Sequence, residues 1–233
     1  MTVTVGIVVF PGSNCEHDVA EAVTQLGGEP RLLWHGDATL GGVDAVVLPG
    51  GFAHGDYLRP GAIARFSPIM AAVARFADEG APVIGICNGF QVLTEAGLLP
   101  GALRQNRGLK FLCATVKTRV DSTASVLTRS VEPGTVLELP INHFSGAYSC
   151  PPETLAELRS EDRIVLRYLD NPNGSVDDIA GICSRQGNVV GLMPHPERAC
   201  DPLGSLDGRP LWASLLTPAA GLLAEARAVE NSV

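Results

Sequence analysis

Hydrophobic and polar positions along this chain switch repeatedly between two periods, and the switching outlines alternating strands and helices. Residues 3–10 form a continuous apolar run, long enough for a strand buried on both faces as in a parallel sheet. Pro11-Gly12-Ser13-Asn14 breaks that run. From 16 to 27, Val19, Ala20, Val23 and Leu26 recur at helical spacing, closed by Gly27-Gly28. Short apolar runs at 31–34 and 45–48 predict a second and a third strand, the third ending in Pro49-Gly50-Gly51. Residues 61–79 read as one long amphipathic helix stopped by Gly80 and Pro82. A strand over 82–86 and a helix over 88–96, stopped by Gly97, complete the first half. The β-α-β-α order predicts right-handed crossovers and a three-layer α/β fold, an open and mostly parallel sheet flanked by helices.

After Pro100-Gly101 the rhythm changes. Residues 111–120, 125–127 and 135–139 read as strands joined by short turns, which predicts a small antiparallel patch. Further strands are expected at 163–169, 179–183 and 189–193, with Asn171-Pro172-Asn173-Gly174 a strong turn signal. A helix over 209–228 closes the pattern. No repeat, linker or low-complexity tract interrupts it, so residues 1–233 are expected to form a single domain.

Composition narrows the classes. With 45% apolar residues a chain of this length can bury a sizeable core. The formal charge of −8 argues against a nucleic-acid binder and against a polybasic membrane surface. No apolar run approaches the roughly 20 residues of a membrane span, and the start lacks the basic region of a signal peptide. The six cysteines contain no Cys-x-x-Cys pair, so neither zinc nor a disulfide framework is indicated. Most read as small core residues in a reducing compartment, and a soluble cytoplasmic protein is the expectation.

The chemistry concentrates at two places. Val83-Ile84-Gly85-Ile86-Cys87-Asn88-Gly89-Phe90-Gln91 is an apolar run ending in Gly-x-Cys-x-Gly and continuing as helix, the pattern of a nucleophile elbow. A buried structural cysteine after a core strand fits the same residues. More than a hundred residues on stands Met193-Pro194-His195-Pro196-Glu197. A cysteine nucleophile needs a base, and the base needs a third group to fix its tautomer; His195 and Glu197 suit those roles, with two prolines restricting the backbone between them. An oxyanion would need preorganised N–H donors. The Asn88 amide, next after the nucleophile, is one candidate and the Gly50-Gly51 turn the best second, although an ordinary turn closing a strand fits the same two glycines. Gln91 and Glu95, four and eight residues past Cys87, project from the same helix face. Gln91 is placed to hydrogen-bond a polar substrate, whereas Glu95, a turn further away, fits a substrate contact and a solvated or supporting carboxylate alike. His143 competes with His195 as base, but no carboxylate follows it closely. Ligands of open α/β sheets bind at the carboxyl ends of strands, where the Pro49 turn, Cys87 and His195 are all expected.

These motifs resemble the class I (triad) glutamine amidotransferases. Pro11-Gly12-Ser13-Asn14-Cys15, Gly55-Asp56-Tyr57-Leu58-Arg59, Gly61-Ala62-Ile63-Ala64, Glu95-Ala96-Gly97-Leu98-Leu99-Pro100-Gly101 and Gly191-Leu192-Met193-Pro194-His195-Pro196-Glu197-Arg198 narrow the resemblance. They look like the small glutaminase subunits of the formylglycinamide ribonucleotide amidotransferases of purine synthesis, from residue 3 to about 212. The resemblance implies a flavodoxin-like sheet, with Cys87 attacking the side-chain amide of glutamine and His195 moving the protons. It also implies that Glu197 orients His195 and that the Gly51 and Asn88 amides hold the oxyanion. Gly50, Gln91 and Glu95 would contact substrate. It further implies a large ATP-dependent synthetase subunit that receives the ammonia, with a third small subunit bridging the two. ATP and Mg would sit on that partner and no cofactor on this chain, which has no phosphate-cradling loop. One segment departs: relatives carry His-Gly-Glu-Gly where this chain has His143-Phe144-Ser145-Gly146. A glutaminase for another amination pathway and a silent docking subunit remain as alternative readings.

Overall fold

A computed structural model of the chain describes residues 2–217. Its first half follows the expected alternation. β1 (Thr4–Val9), α1 (Glu16–Gln25), β2 (Glu29–Trp34), β3 (Ala45–Leu48), α2 (Pro68–Asp78), β4 (Val83–Ile86) and α3 (Asn88–Glu95) come in that order. They are followed by β5 (Ala102–Arg104), β6 (Leu112–Val120), β7 (Val136–His143), β8 (Ala147–Ser149) and α4 (Pro152–Ser160). β9 (Ile164–Tyr168), β10 (Ile179–Cys183), β11 (Val189–Leu192) and α5 (Arg209–Leu216) complete the described chain.

Among the described residues, nine strands form one mixed sheet in the order β2-β1-β3-β4-β11-β10-β9-β6-β7. The five strands from β2 to β11 pair in parallel, and every pairing beyond β11 is antiparallel. The antiparallel strands therefore extend the main sheet. β5 and β8 form a separate two-stranded antiparallel patch. Parallel strands covered on both faces must be apolar throughout, and β3 and β4 are buried at every residue. Helices cover the sheet, with α1 packed against β1, β2 and α5, and α3 against β3, β4 and β11. The order of connection reverses between β1, which continues outward to β2, and β3, which continues toward β4. The crevice at that reversal is where an open α/β sheet binds ligands, and here the loops after β1 and β3 meet in a bridge between Ser13 and Gly51.

Three local readings change. The helix expected over 61–79 is broken: a 3-10 turn at Ala64–Phe66 precedes Ser67, which is extended (φ −61°, ψ 140°), and α2 starts at Pro68. Proline excludes helical geometry from the residue before it yet fits the first helical position, so apolar periodicity ran across a real boundary. Residues 125–127 are a turn, not a strand. Ser125 Oγ accepts from the Thr128 N–H at 3.2 Å and the Ser125 carbonyl from the Arg129 N–H at 2.9 Å, a side-chain-initiated helical turn. α4 was not expected; Pro152 occupies its first turn, a position that proline fits. Of the closing helix expected over 209–228, α5 covers Arg209–Leu216, and 218–228 lie outside the described residues.

Candidate active site

Cys87 stands at the corner between β4 and α3 with φ 51° and ψ −103°, a backbone that costs a non-glycine residue about 1–3 kcal/mol. Neighbouring elements enforce it. The Cys87 N–H donates to the Leu192 carbonyl on β11 at 2.8 Å, and its own carbonyl accepts from the Gln91 N–H at 3.2 Å. Glycine at 89 lets α3 come in this close, since a Cβ there would lie 1.9 Å from the Leu48 carbonyl oxygen of β3. The thiol points toward the Asn142 carbonyl at 3.7 Å and forms part of the wall of a cavity of about 860 Å³.

His195 arrives from the neighbouring strand, β11, through Pro194. Its N–H donates to the Pro140 carbonyl at 2.8 Å, and Pro196 starts a 3-10 turn that brings Glu197 back onto the ring. Nδ1 donates to Glu197 Oε1 at 2.6 Å, with both side chains buried. Nε2 is buried and has no hydrogen-bond partner among the described residues; Cys87 is nevertheless near enough to act on the ring. Burial opposes a charged imidazole here, but the Glu197 carboxylate and the Cys87 sulfur outweigh it and hold the His195 pKa well above its ordinary value. A ring fixed at Nδ1 by a carboxylate presents Nε2 for proton transfer, and loose contacts at such sites tighten when substrate binds.

The remaining expected residues divide. Gly51 and Gln91 line the cavity with Cys87, and Asn88 follows the thiol at the start of α3. Among the described residues, no acceptor is paired with the Gly51 or the Asn88 amide N–H. The Asn88 side chain is fully used: it accepts from the Ala53 N–H at 3.0 Å and donates to Gln91 Oε1 at 2.8 Å and to Asp56 Oδ1 at 3.3 Å. Gln91 in turn donates to the Ser145 carbonyl at 2.5 Å, so the substituted loop reaches the site through its backbone. Gly50 is not a wall residue. A Cβ there would come within 2.7 Å of His195 Cε1 and 3.0 Å of Cys15 Sγ, so the glycine admits the imidazole. Glu95 also lies outside the cavity wall, its carboxylate gripped at both oxygens by Arg59 at 2.6 Å.

Sequence reasoning missed the partners. Cys15, at the start of α1, lies beside His195 and Glu197, with donor atoms of all three within 4.8 Å of one another. The Arg198 guanidinium donates to Cys15 Sγ at 3.1 Å, and that charge disfavours a metal ion in the same space. Cys15 is not part of the cavity wall and Cys87 is, which separates the two thiols as candidate nucleophiles. His143 does line the cavity, but its Nδ1 faces the Asn106 side-chain oxygen at 3.1 Å. Burial and the neighbouring His195 push its pKa down to about 4, against a smaller opposing backbone contact. The Cys15 signal stood in the quoted Pro-Gly-Ser-Asn-Cys motif, whereas Asn106 and Asn142 carry no local signal.

Comparison with known proteins gives the family. Residues 2–206 match the model of the CobB/CobQ-like glutamine amidotransferase domain. The chain belongs to this family. Within it, the chain is 60% identical over 216 residues to the phosphoribosylformylglycinamidine synthase subunit PurQ of Rubrobacter xylanophilus, covering 92% of this chain and 98% of that one. The same subunit of Trichormus variabilis is 55% identical over 214 residues, covering 91% and 96%. A chain of the solved PurLQS structure from Thermotoga maritima superposes with a TM-score of 0.86 at 41% identity, over 93% of this chain and 98% of that one.

Proposed function

We propose that this amidotransferase is the glutaminase subunit of a phosphoribosylformylglycinamidine synthase, acting as a single domain over residues 1–233. Cys87 Sγ attacks the side-chain amide carbon of glutamine, and the oxyanion forms against the Gly51 and Asn88 N–H groups. His195 Nε2 delivers a proton to the amide nitrogen, the C–N bond breaks, and ammonia leaves a glutamyl thioester. Water, losing a proton to His195, attacks that thioester and releases glutamate and the thiol. Glu197 holds the imidazole in the tautomer that serves both steps.

The ammonia passes to a large synthetase subunit, assisted by a small bridging subunit, where formylglycinamide ribonucleotide becomes the amidine. ATP and Mg belong to that partner, and the assembly works in the cytoplasm; among the described residues no helix is long and apolar enough to cross a membrane. The observation that carries this reading is the buried His195–Glu197 pair beside a strained, cavity-lining Cys87 in a chain 60% identical to a subunit so named. Its test is Cys87→Ala in the reconstituted complex. Glutamine-dependent amination should be lost while amination from added ammonium persists; near-normal glutamine turnover would remove Cys87 as nucleophile.

A further inference from the structure

The cavity beside Cys87 is walled by charges of one sign with a single exception. Its described lining includes three arginines, Arg59, Arg104 and Arg107, and one carboxylate, Asp56. Arg59 is held by Glu95, outside the wall. Asp56 has no cationic partner among the described residues; its recorded contact is the neutral side-chain amide of Asn88 at 3.3 Å. Asn88 is the residue after Cys87 and also braces Gln91, so Asp56 is tied to the nucleophile's own turn. The chain holds Asp56 there in a left-handed conformation (φ 54°), between His54 (φ 53°) and Leu58 (φ 69°) in the same uncommon region.

A half-buried carboxylate without a counter-ion is unfavourable in the empty site. Burial pushes the Asp56 pKa up to about 6, and the Asn88 contact only partly offsets it. A substrate that brings its own positive charge removes that cost. Glutamine does so: its α-ammonium lies two methylene groups and the α-carbon away from the amide carbon under attack.

Resting on the glutaminase reading, we infer that Asp56 is a specificity-determining residue that receives the α-ammonium of glutamine and so selects an α-amino acid over other primary amides. The cationic remainder of the wall suits the α-carboxylate and repels an ammonium from any other position. Arg59 is already neutralised by Glu95, so it does not compete for Asp56.

The test compares two substrates in the reconstituted complex: glutamine, and 4-carbamoylbutanoate, which keeps the amide and the carboxylate but lacks the ammonium. Asp56→Asn should lower kcat/KM for glutamine by about 10- to 100-fold, as loss of one charged hydrogen bond does, mostly through KM. Hydrolysis of 4-carbamoylbutanoate should fall by a much smaller factor, so that the preference for glutamine over this analogue drops about tenfold or more, and the remaining turnover of the analogue reports a folded site. Asp56→Glu should restore most of the selectivity. Equal losses on both substrates, or none on glutamine, would overturn the assignment, and Asp56→Ser gives the same readout if the asparagine variant does not fold. A wild-type complex that releases no ammonia from glutamine would instead remove the glutaminase reading on which the inference rests.

Discussion

His195 and His143 are buried to nearly the same degree, 1% and 3% exposed, and His195 stands near enough to disfavour charge on His143, yet their environments drive them in opposite directions. His195 meets a carboxylate at Nδ1 and is held well above the ordinary imidazole range. His143 meets an amide oxygen at Nδ1 and is held down at about 4. Burial penalises the charged form of both rings equally in kind, so the second residue decides which ring carries a proton at neutral pH. Two titratable groups pushed apart in this way divide the work of one site: His195 can hold and return a proton, and His143 can only be a neutral wall.

The comparison breaks most sharply at His195 itself. His195→Asn should reduce glutamine hydrolysis by about 10³- to 10⁴-fold with ammonium-dependent amination by the complex retained; initial-rate assays with each nitrogen source check it. Glu197→Gln leaves the ring but removes its counter-charge, which converts the first environment toward the second. Turnover should fall by about 100-fold, and NMR titration of the His195 ring should show its pKa dropping toward that of His143.

The reciprocal change sharpens the contrast. Asn106→Asp gives His143 the partner that His195 has, so its ring should titrate upward and carry charge near neutrality. That second cation faces His195, and glutamine turnover should fall by roughly tenfold; an unmoved His143 titration would refute the role given to the partner residue.

The smallest effects are in stability. Folded His143 sits at about 4 against an ordinary 6.5, so the unfolded chain binds the proton first as pH falls. Its contribution is present above 6.5 and is lost between 6.5 and 4, up to about 3 kcal/mol. His143→Gln should therefore flatten the acid side of the melting-temperature profile. Asp56 acts with the opposite sign, because its folded pKa of about 6 lies above an ordinary 3.8. The folded chain takes up that proton first, so Asp56 costs stability above pH 6, and the cost disappears as pH falls toward 3.8. Asp56→Asn should raise stability at pH 7 by on the order of 1 kcal/mol, discounted for partial exposure, while weakening glutamine binding. Thermal melts at pH 7 and pH 5 separate the two residues.

The limits of reading this molecule from its chain are seen in particular residues. β3 and β4 were legible residue for residue or nearly so, because a strand buried on both faces must be apolar without interruption. α2 was not, because periodicity reports which face is buried and is blind to a backbone break such as Ser67-Pro68. The placement of β6 and β7 beyond β9 was equally hidden, since strand pairing joins segments far apart in sequence.

The sequence by itself determined the elbow, since only glycine at 89 lets a helix begin against the Leu48 carbonyl, and it determined the adjacency of His195 and Glu197 within one short turn. Tertiary structure alone decided which groups meet those residues. Parallel pairing of β4 with β11 carries the His195 loop beside Cys87 across more than a hundred residues. The loops after β1 and β3 bring Cys15 against His195 and Asp56 against Asn88. The reason is physical: local sequence sets backbone geometry and capping, whereas the charge of a buried ring or carboxylate depends on neighbours that only the packed sheet assembles.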